Sequence, residues 1–197
     1  MKYRYLGNSN LKVSAVGLGT WAYGNDTFGE VEDQQSIETI RTAVQSGINL
    51  IDTAPAYGAG HAEKVVGRAI KGIRDKVIIA TKCGTHRDGP KYIRDLSPAR
   101  IRKEIEDSLR RLDIEQIDLY QIHWPDPDTP LEESVNELLK LKQEGKFKYL
   151  GVCNFGIELM DQISDMTDII SLQPQYSLLK REIEEELLPY IIKNNLG

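Results

Sequence analysis

Val77-Ile78-Ile79-Ala80-Thr81-Lys82 is a short apolar run, rich in β-branched residues, that ends abruptly on a cation. A strand with one wet face alternates apolar and polar residues. This run does not, so it reads as a parallel strand covered on both faces. The same reading applies to Val13 to Leu18, Ile48 to Ile51, Lys76 to Thr81, Ile117 to Ile122, Tyr149 to Cys153 and Ile169 to Gln173.

Amphipathic helical patterns lie between these runs. Ile101, Ile105, Leu109 and Leu112 recur at one-turn spacing after Ser97-Pro98, a cap residue followed by a proline suited to the first turn. Thr129-Pro130 opens a second helix, with Glu132 placed as in a capping box, Val135, Leu138 and Leu139 as its apolar face and Gly145 at its end. Ile37, Ile40 and Val44 precede Gly47, and Val65, Val66, Ala69 and Ile70 precede Gly72, in the same manner. Ile183, Leu187, Leu188 and Ile191 predict a last helix.

Taking Gly19, Asp52, Lys82, His123, Cys153 and Gln173 as strand ends gives intervals of 33, 30, 41, 30 and 20 residues, the length of a βα unit. Six units can form an open doubly wound sheet or a barrel. In a doubly wound sheet, ligand groups gather at the topological switch point, whereas in a barrel nearly every strand can contribute from its C-terminal end. Asp52, Lys82, His123, Asn154 and Gln173 each close a separate apolar run, which favours the barrel. Ahead of the first unit, residues 1–16 predict a β-hairpin, with Lys2 to Tyr5 and Lys12 to Val16 flanking Leu6-Gly7-Asn8-Ser9-Asn10.

Composition excludes several classes. Lys and Arg number 25 against 30 Asp and Glu, for a net charge of −5, and the basic residues are dispersed, so no nucleic-acid partner is expected. No stretch approaches the roughly 18 apolar residues of a membrane span, and the opening Met-Lys-Tyr-Arg-Tyr lacks a signal core, so a cytoplasmic location without membrane association is expected. Cys83 and Cys153 are expected to be reduced structural thiols. Asn25-Asp26-Thr27 matches a glycosylation acceptor but carries little weight without a secretory signal. Gly17-Leu18-Gly19-Thr20-Trp21-Ala22 formally fits a dinucleotide fingerprint, yet it opens no helix and lacks the acidic residue about twenty positions on. No phosphate-binding loop or zinc-protease signature occurs, so no metal site is expected.

The strand-end residues instead suggest proton chemistry. A phenol with a pKa of about 10 is a weak acid at neutral pH, a nearby ammonium lowers that value, and a carboxylate keeps the ammonium charged. Asp52, Lys82 and Tyr57 together therefore make a tuned general acid, and a neutral His123 can polarise a carbonyl oxygen.

These residues resemble the aldo-keto reductase family over the whole chain. The likeness rests on the hairpin, Gly17-Leu18-Gly19-Thr20-Trp21, Asp52-Thr53-Ala54-x-x-Tyr57-Gly58, Thr81-Lys82, Asp118-Leu119-Tyr120-Gln121-Ile122-His123, Gly151-Val152-Cys153-Asn154-Phe155 and Gln173-Pro174-Gln175-Tyr176. The resemblance implies an eight-stranded (β/α)8 TIM barrel that uses NADPH (NADP+) to reduce aldehydes and ketones. It implies catalytic Asp52, Tyr57, Lys82 and His123, with Gly19, Thr20, Trp21, Asp52, Cys153, Asn154 and Gln173 on the cofactor. Trp21, Tyr57, His123 and Trp124 would bind the small carbonyl substrate. Asn154 and Gln173 would hydrogen-bond the nicotinamide carboxamide. Cys153, where the family commonly has Ser, is expected to loosen that contact.

The chain is also short for the family. Eight units plus a hairpin need about 270 residues, so the seventh and eighth units are expected beyond Gly197, and the resemblance implies that they hold a nicotinamide-stacking tyrosine and the 2′-phosphate grip. The expectation is a single barrel domain over 1–197 that binds NADPH weakly when alone, with open edges available for self-association. A nucleotide-sensing binding module and an inactive barrel fragment remain alternatives.

Overall fold

The computed structural model describes residues 1–89 and 91–197. Six parallel strands form one sheet: β3 (Leu18–Gly19), β4 (Leu50–Asp52), β5 (Ile78–Cys83), β8 (Ile117–Ile122), β9 (Phe147–Cys153) and β10 (Leu172–Gln173). They lie in chain order from β3 to β10, which form the two edges. The helices following them are α1 (Asp33–Gln45), α2 (His61–Ile70), α3 (Pro98–Leu112), α4 (Leu131–Gln143), α5 (Ile157–Ser164) and α6 (Leu187–Lys193). This is six of the strands of a (β/α)8 barrel. At the β10 edge, the Gly197 amide donates to Ile170 at 2.8 Å and its carbonyl accepts from Leu172 at 3.0 Å.

Side-chain alternation divides each strand between two cores. Ile51, Ile79, Tyr120 and Val152 point outward, are 0% exposed and pack under the helices. Burial of such residues stabilises by roughly 1.5–3 kcal/mol each. Ala80 and Leu119 point inward and meet Leu11 and Val13 of the N-terminal hairpin, β1 (Tyr3–Tyr5) and β2 (Lys12–Ser14). Asn49 ties that hairpin to the start of β4, accepting from the Ser14 amide at 2.6 Å and donating to Lys12 at 2.9 Å. The hairpin thus closes the N-terminal end of the sheet and leaves the C-terminal ends open.

Several local expectations are corrected. The run Val13 to Leu18 is two strands, because Ser14 Oγ donates to Val16 O at 2.7 Å and accepts from Asn49 N, turning the chain between hairpin and sheet. Thr129 caps no helix: its hydroxyl is taken by Asp126 at 2.6 Å, and α4 begins after Pro130. The last helix is broken into a 3-10 turn at Glu182–Glu184 and α6, so Ile183 lies outside it. Pro189 explains the break, since it has no amide to donate and its ring clashes with the carbonyl four residues earlier. Two elements lack a sequence expectation: α5, which buries Met160 and Ile163, and an antiparallel hairpin, β6 (Thr85–Asp88) with β7 (Lys91–Arg94), inserted between β5 and α3.

Candidate active site

Register brings the polar strand ends together. Asp52 pairs with Ala80, Lys82 with Gln121, Gln121 with Gly151 and Cys153 with Gln173, so their inward side chains form successive rungs at one face. Lys82 is only 1% exposed, a position an ammonium tolerates only with partners. Its Nζ lies 2.9 and 2.8 Å from the two Asp52 carboxylate oxygens, 2.9 Å from Thr53 O and 3.1 Å from the Tyr57 hydroxyl. Burial works against the charge, but the Asp52 carboxylate and Tyr57 outweigh it and raise the Lys82 pKa.

Tyr57 enters the site on a 3-10 turn after β4. Its oxygen accepts from Lys82, which leaves its own proton available to another acceptor. Burial raises its pKa more than Lys82 lowers it, and Asp52 adds to the rise. The phenol therefore stays protonated at neutral pH, whereas the sequence emphasised the lowering by Lys82. His123 follows β8, with its ring 6.0 Å from the Tyr57 ring in an edge-to-face arrangement. Burial, then the Lys82 charge, pull its pKa down to about 3, so the imidazole is neutral. Its Nδ1 is buried and has no hydrogen-bond partner among the described residues.

These groups open into a cleft of about 570 Å³ lined by Trp21, Tyr57, Lys82, His123, Trp124, Cys153, Asn154 and Gln173, among others. Trp21 stacks on Tyr57, with ring centroids 5.9 Å apart. Asn154 occupies the left-handed region at φ 60°, which asparagine tolerates, and its Nδ2 donates to His123 O at 3.0 Å. Cys153 Sγ donates to Gln173 Oε1 at 3.3 Å, and burial pushes its pKa up to about 12, so it is a thiol and not a nucleophile. Asn154 Oδ1 and Gln173 Nε2 are left without partners among the described residues. An acceptor and a donor on the lining of one cleft match the two halves of a carboxamide.

Two residues expected at the cofactor, Thr20 and Gly19, stand beside Asp52 but do not line this cleft. Thr20 is fully buried, and its amide and hydroxyl both donate to Asp52 O, at 2.9 and 3.0 Å. It positions β4 and does not line the cleft. Gly19 is exposed, with open space where a Cβ would stand. Conversely, Thr85, Tyr92 and Arg94 of the β6–β7 hairpin wall the cleft without having been anticipated. The Gly89-Pro90 dipeptide between two polar runs is the turn signal that could have revealed this hairpin. Among the described residues, no group of three His, Cys, Asp or Glu side chains could hold a metal, and no helix is long and apolar enough to cross a membrane.

Six parallel βα strands of a barrel, with a buried Asp–Lys pair in contact with a cleft tyrosine at their C-terminal ends, define the fold class and its candidate site. The aldo/keto reductase family matches residues 15–197, and the chain belongs to that family. It is 46% identical to the aldo-keto reductase YhdN of Bacillus subtilis, covering 100% of this chain and 60% of that protein. The glycerol dehydrogenase of Gluconobacter oxydans superposes with a TM-score of 0.91 at 47% identity, covering 98% of this chain and 61% of the other. An aldo/keto reductase from Klebsiella pneumoniae, solved in complex with NADP and acetate, superposes with a TM-score of 0.83 at 34% identity, over 98% of this chain and 64% of its own. The chain thus spans about three fifths of the length of these relatives.

Proposed function

We propose that this chain carries the active-site face of a reductase that converts aldehydes and ketones to alcohols with NADPH, within a single barrel domain. The observation that carries the reading is the Lys82 Nζ to Tyr57 hydroxyl contact at 3.1 Å, with Asp52 behind it. Asn154 Oδ1 and Gln173 Nε2 would hold the nicotinamide carboxamide, and Trp21 stands beside the reacting phenol. When bound, the dihydronicotinamide supplies a hydride to the carbonyl carbon. Tyr57 then gives its proton to the carbonyl oxygen, and the Lys82 ammonium stabilises the phenolate left behind. Asp52 keeps the buried Lys82 charged. Neutral His123 orients the carbonyl oxygen without competing for the proton.

The test is to incubate the 197-residue protein with 4-nitrobenzaldehyde and NADPH or NADH, quantifying cofactor oxidised and alcohol formed. One alcohol per NADPH supports the reading, and a higher rate with NADH would reassign the cofactor. Saturable NADPH binding without turnover would favour a nucleotide-binding module. Neither binding nor turnover would indicate an inactive fragment.

A further inference from the structure

The cleft has a second wall whose chemistry the proton-transfer site does not use. Of the side chains that line the cleft among the described residues, only Lys82 and Arg94 are charged. Lys82 is neutralised by Asp52. Arg94 is not neutralised in this way.

Arg94 ends β7, directly across from Thr85 on β6, and its guanidinium lies 4.6 Å from the centroid of the Trp124 ring. That contact holds the guanidinium over the indole ring and leaves its N–H donors to meet a ligand. Arg94 makes no hydrogen bond or ion pair with any described residue. Asp126, the carboxylate whose pKa Arg94 helps to lower, accepts from Leu96 N at 2.9 Å, Thr129 Oγ1 at 2.6 Å and Asp128 N at 3.0 Å. Its oxygens are therefore already engaged. The neighbouring cation on the same hairpin face, Arg87, is turned away to Asp26 at 3.5 Å and to the Tyr92 hydroxyl at 3.0 Å. Thr85, 5% exposed, adds a hydroxyl with no partner among the described residues to this wall.

We infer that Arg94, held over Trp124, is a specificity-determining residue that selects carbonyl substrates bearing a carboxylate at the end remote from the reacting carbonyl. The inference rests on the reductase reading for the position of the carbonyl, at Tyr57 and His123. The carboxylate end is recognised independently of turnover. A guanidinium fork matches the two oxygens of a carboxylate, and the aromatic walls provided by Trp21 and Trp124 suit an apolar spacer between the two ends.

The chain has two tryptophans, Trp21 and Trp124, and both line the cleft, so intrinsic fluorescence reports its occupancy directly. Dissociation constants would be measured for 4-carboxybenzaldehyde and for its neutral isostere, 4-carbamoylbenzaldehyde, with wild type, Arg94→Met and Arg94→Glu. In wild type the carboxylate should bind about tenfold tighter than the amide, as expected for one partly exposed charge-assisted pair. The preference should shrink with added salt. The ratio should fall to about one in Arg94→Met and invert in Arg94→Glu. Equal affinities in wild type, a preference that survives Arg94→Met, or no saturable binding of the carboxylate would each overturn the inference. The reductase reading fails separately, when 4-nitrobenzaldehyde consumes no cofactor while the carboxylate preference persists.

Discussion

Replacing Asp52 with Asn keeps the shape of the site but removes the counter-charge of a buried ammonium. Lys82 is 2% exposed in its side chain and Asp52 is 17% exposed, so little water can substitute for the lost carboxylate. Breaking a buried pair on one side costs about 3–5 kcal/mol, and the partial exposure of Asp52 points to the lower end, about 3 kcal/mol. The pH dependence provides a second signature. In the wild type, Lys82 has a folded pKa above its ordinary 10.5, so its contribution is fully present below that value and is lost only as pH rises through the folded pKa. Without Asp52, burial would dominate and the folded pKa would drop below the unfolded one. The folded protein would then bind fewer protons than the unfolded chain, and Asp52→Asn would lose stability as pH falls below about 10. Urea unfolding between about pH 6 and pH 10 should show a nearly level contribution from this pair in wild type and a deficit in Asp52→Asn that shrinks toward pH 10. Adding Lys82→Met to Asp52→Asn should recover part of the loss, because the unpaired charge is gone. A deficit below about 1 kcal/mol, or one independent of pH, would refute the reasoning.

Three further outcomes follow from other parts of the molecule. Glu104 accepts from Gly84 N at 2.7 Å and from Arg100 at 2.9 Å, yet burial, the largest influence, raises its pKa from 4.5 to about 7. The folded state therefore holds this proton longer, stability should fall by roughly 3 kcal/mol between about pH 4.5 and 7 from this group, and Glu104→Gln should flatten that slope in urea titrations. Gly67→Ala in α2 should destabilise by about 2 kcal/mol in thermal unfolding, because its Cβ would stand 2.7 Å from Arg111 O and 2.8 Å from Leu112 O. That collision with backbone outweighs the roughly 1 kcal/mol gain in helix propensity. With His123 held near 3 and the Tyr57 pKa raised above 10, kcat/KM for a neutral aldehyde should be level from about pH 5 to 9, and an inflection near 6.5 would contradict the assignment of a neutral histidine.

What the sequence disclosed depended on how much of each signal was local. Ile117 to Ile122 was legible to the residue because Ile117, Leu119, Tyr120 and Ile122 make a short apolar run without clean alternation, and all six of its positions are buried in the sheet. Asp52, Lys82 and His123 were legible because each interrupts such a run at its end, where register alone brings them to one face. The β6–β7 hairpin was not, because Thr85-His86-Arg87-Asp88 is polar and its strand character comes from pairing with Lys91 to Arg94. Arg94 escaped notice for the same reason, since its importance lies in stacking on Trp124, thirty residues away. Thr20 was assigned to the cofactor on family likeness, but the structure commits its hydroxyl to the Asp52 carbonyl. The broken C-terminal helix could have been read from Pro189, had its missing amide been weighed against the apolar spacing.

In the proposed reaction the Tyr57 phenol, held by Lys82, is the proton donor in carbonyl reduction. The most direct measurement compares turnover of 4-nitrobenzaldehyde by wild type and Tyr57→Phe at saturating NADPH, with cofactor affinity followed in parallel by fluorescence. Loss of about 10²–10⁴-fold in kcat with NADPH binding retained is the predicted result, and turnover by Tyr57→Phe equal to that of wild type would contradict it.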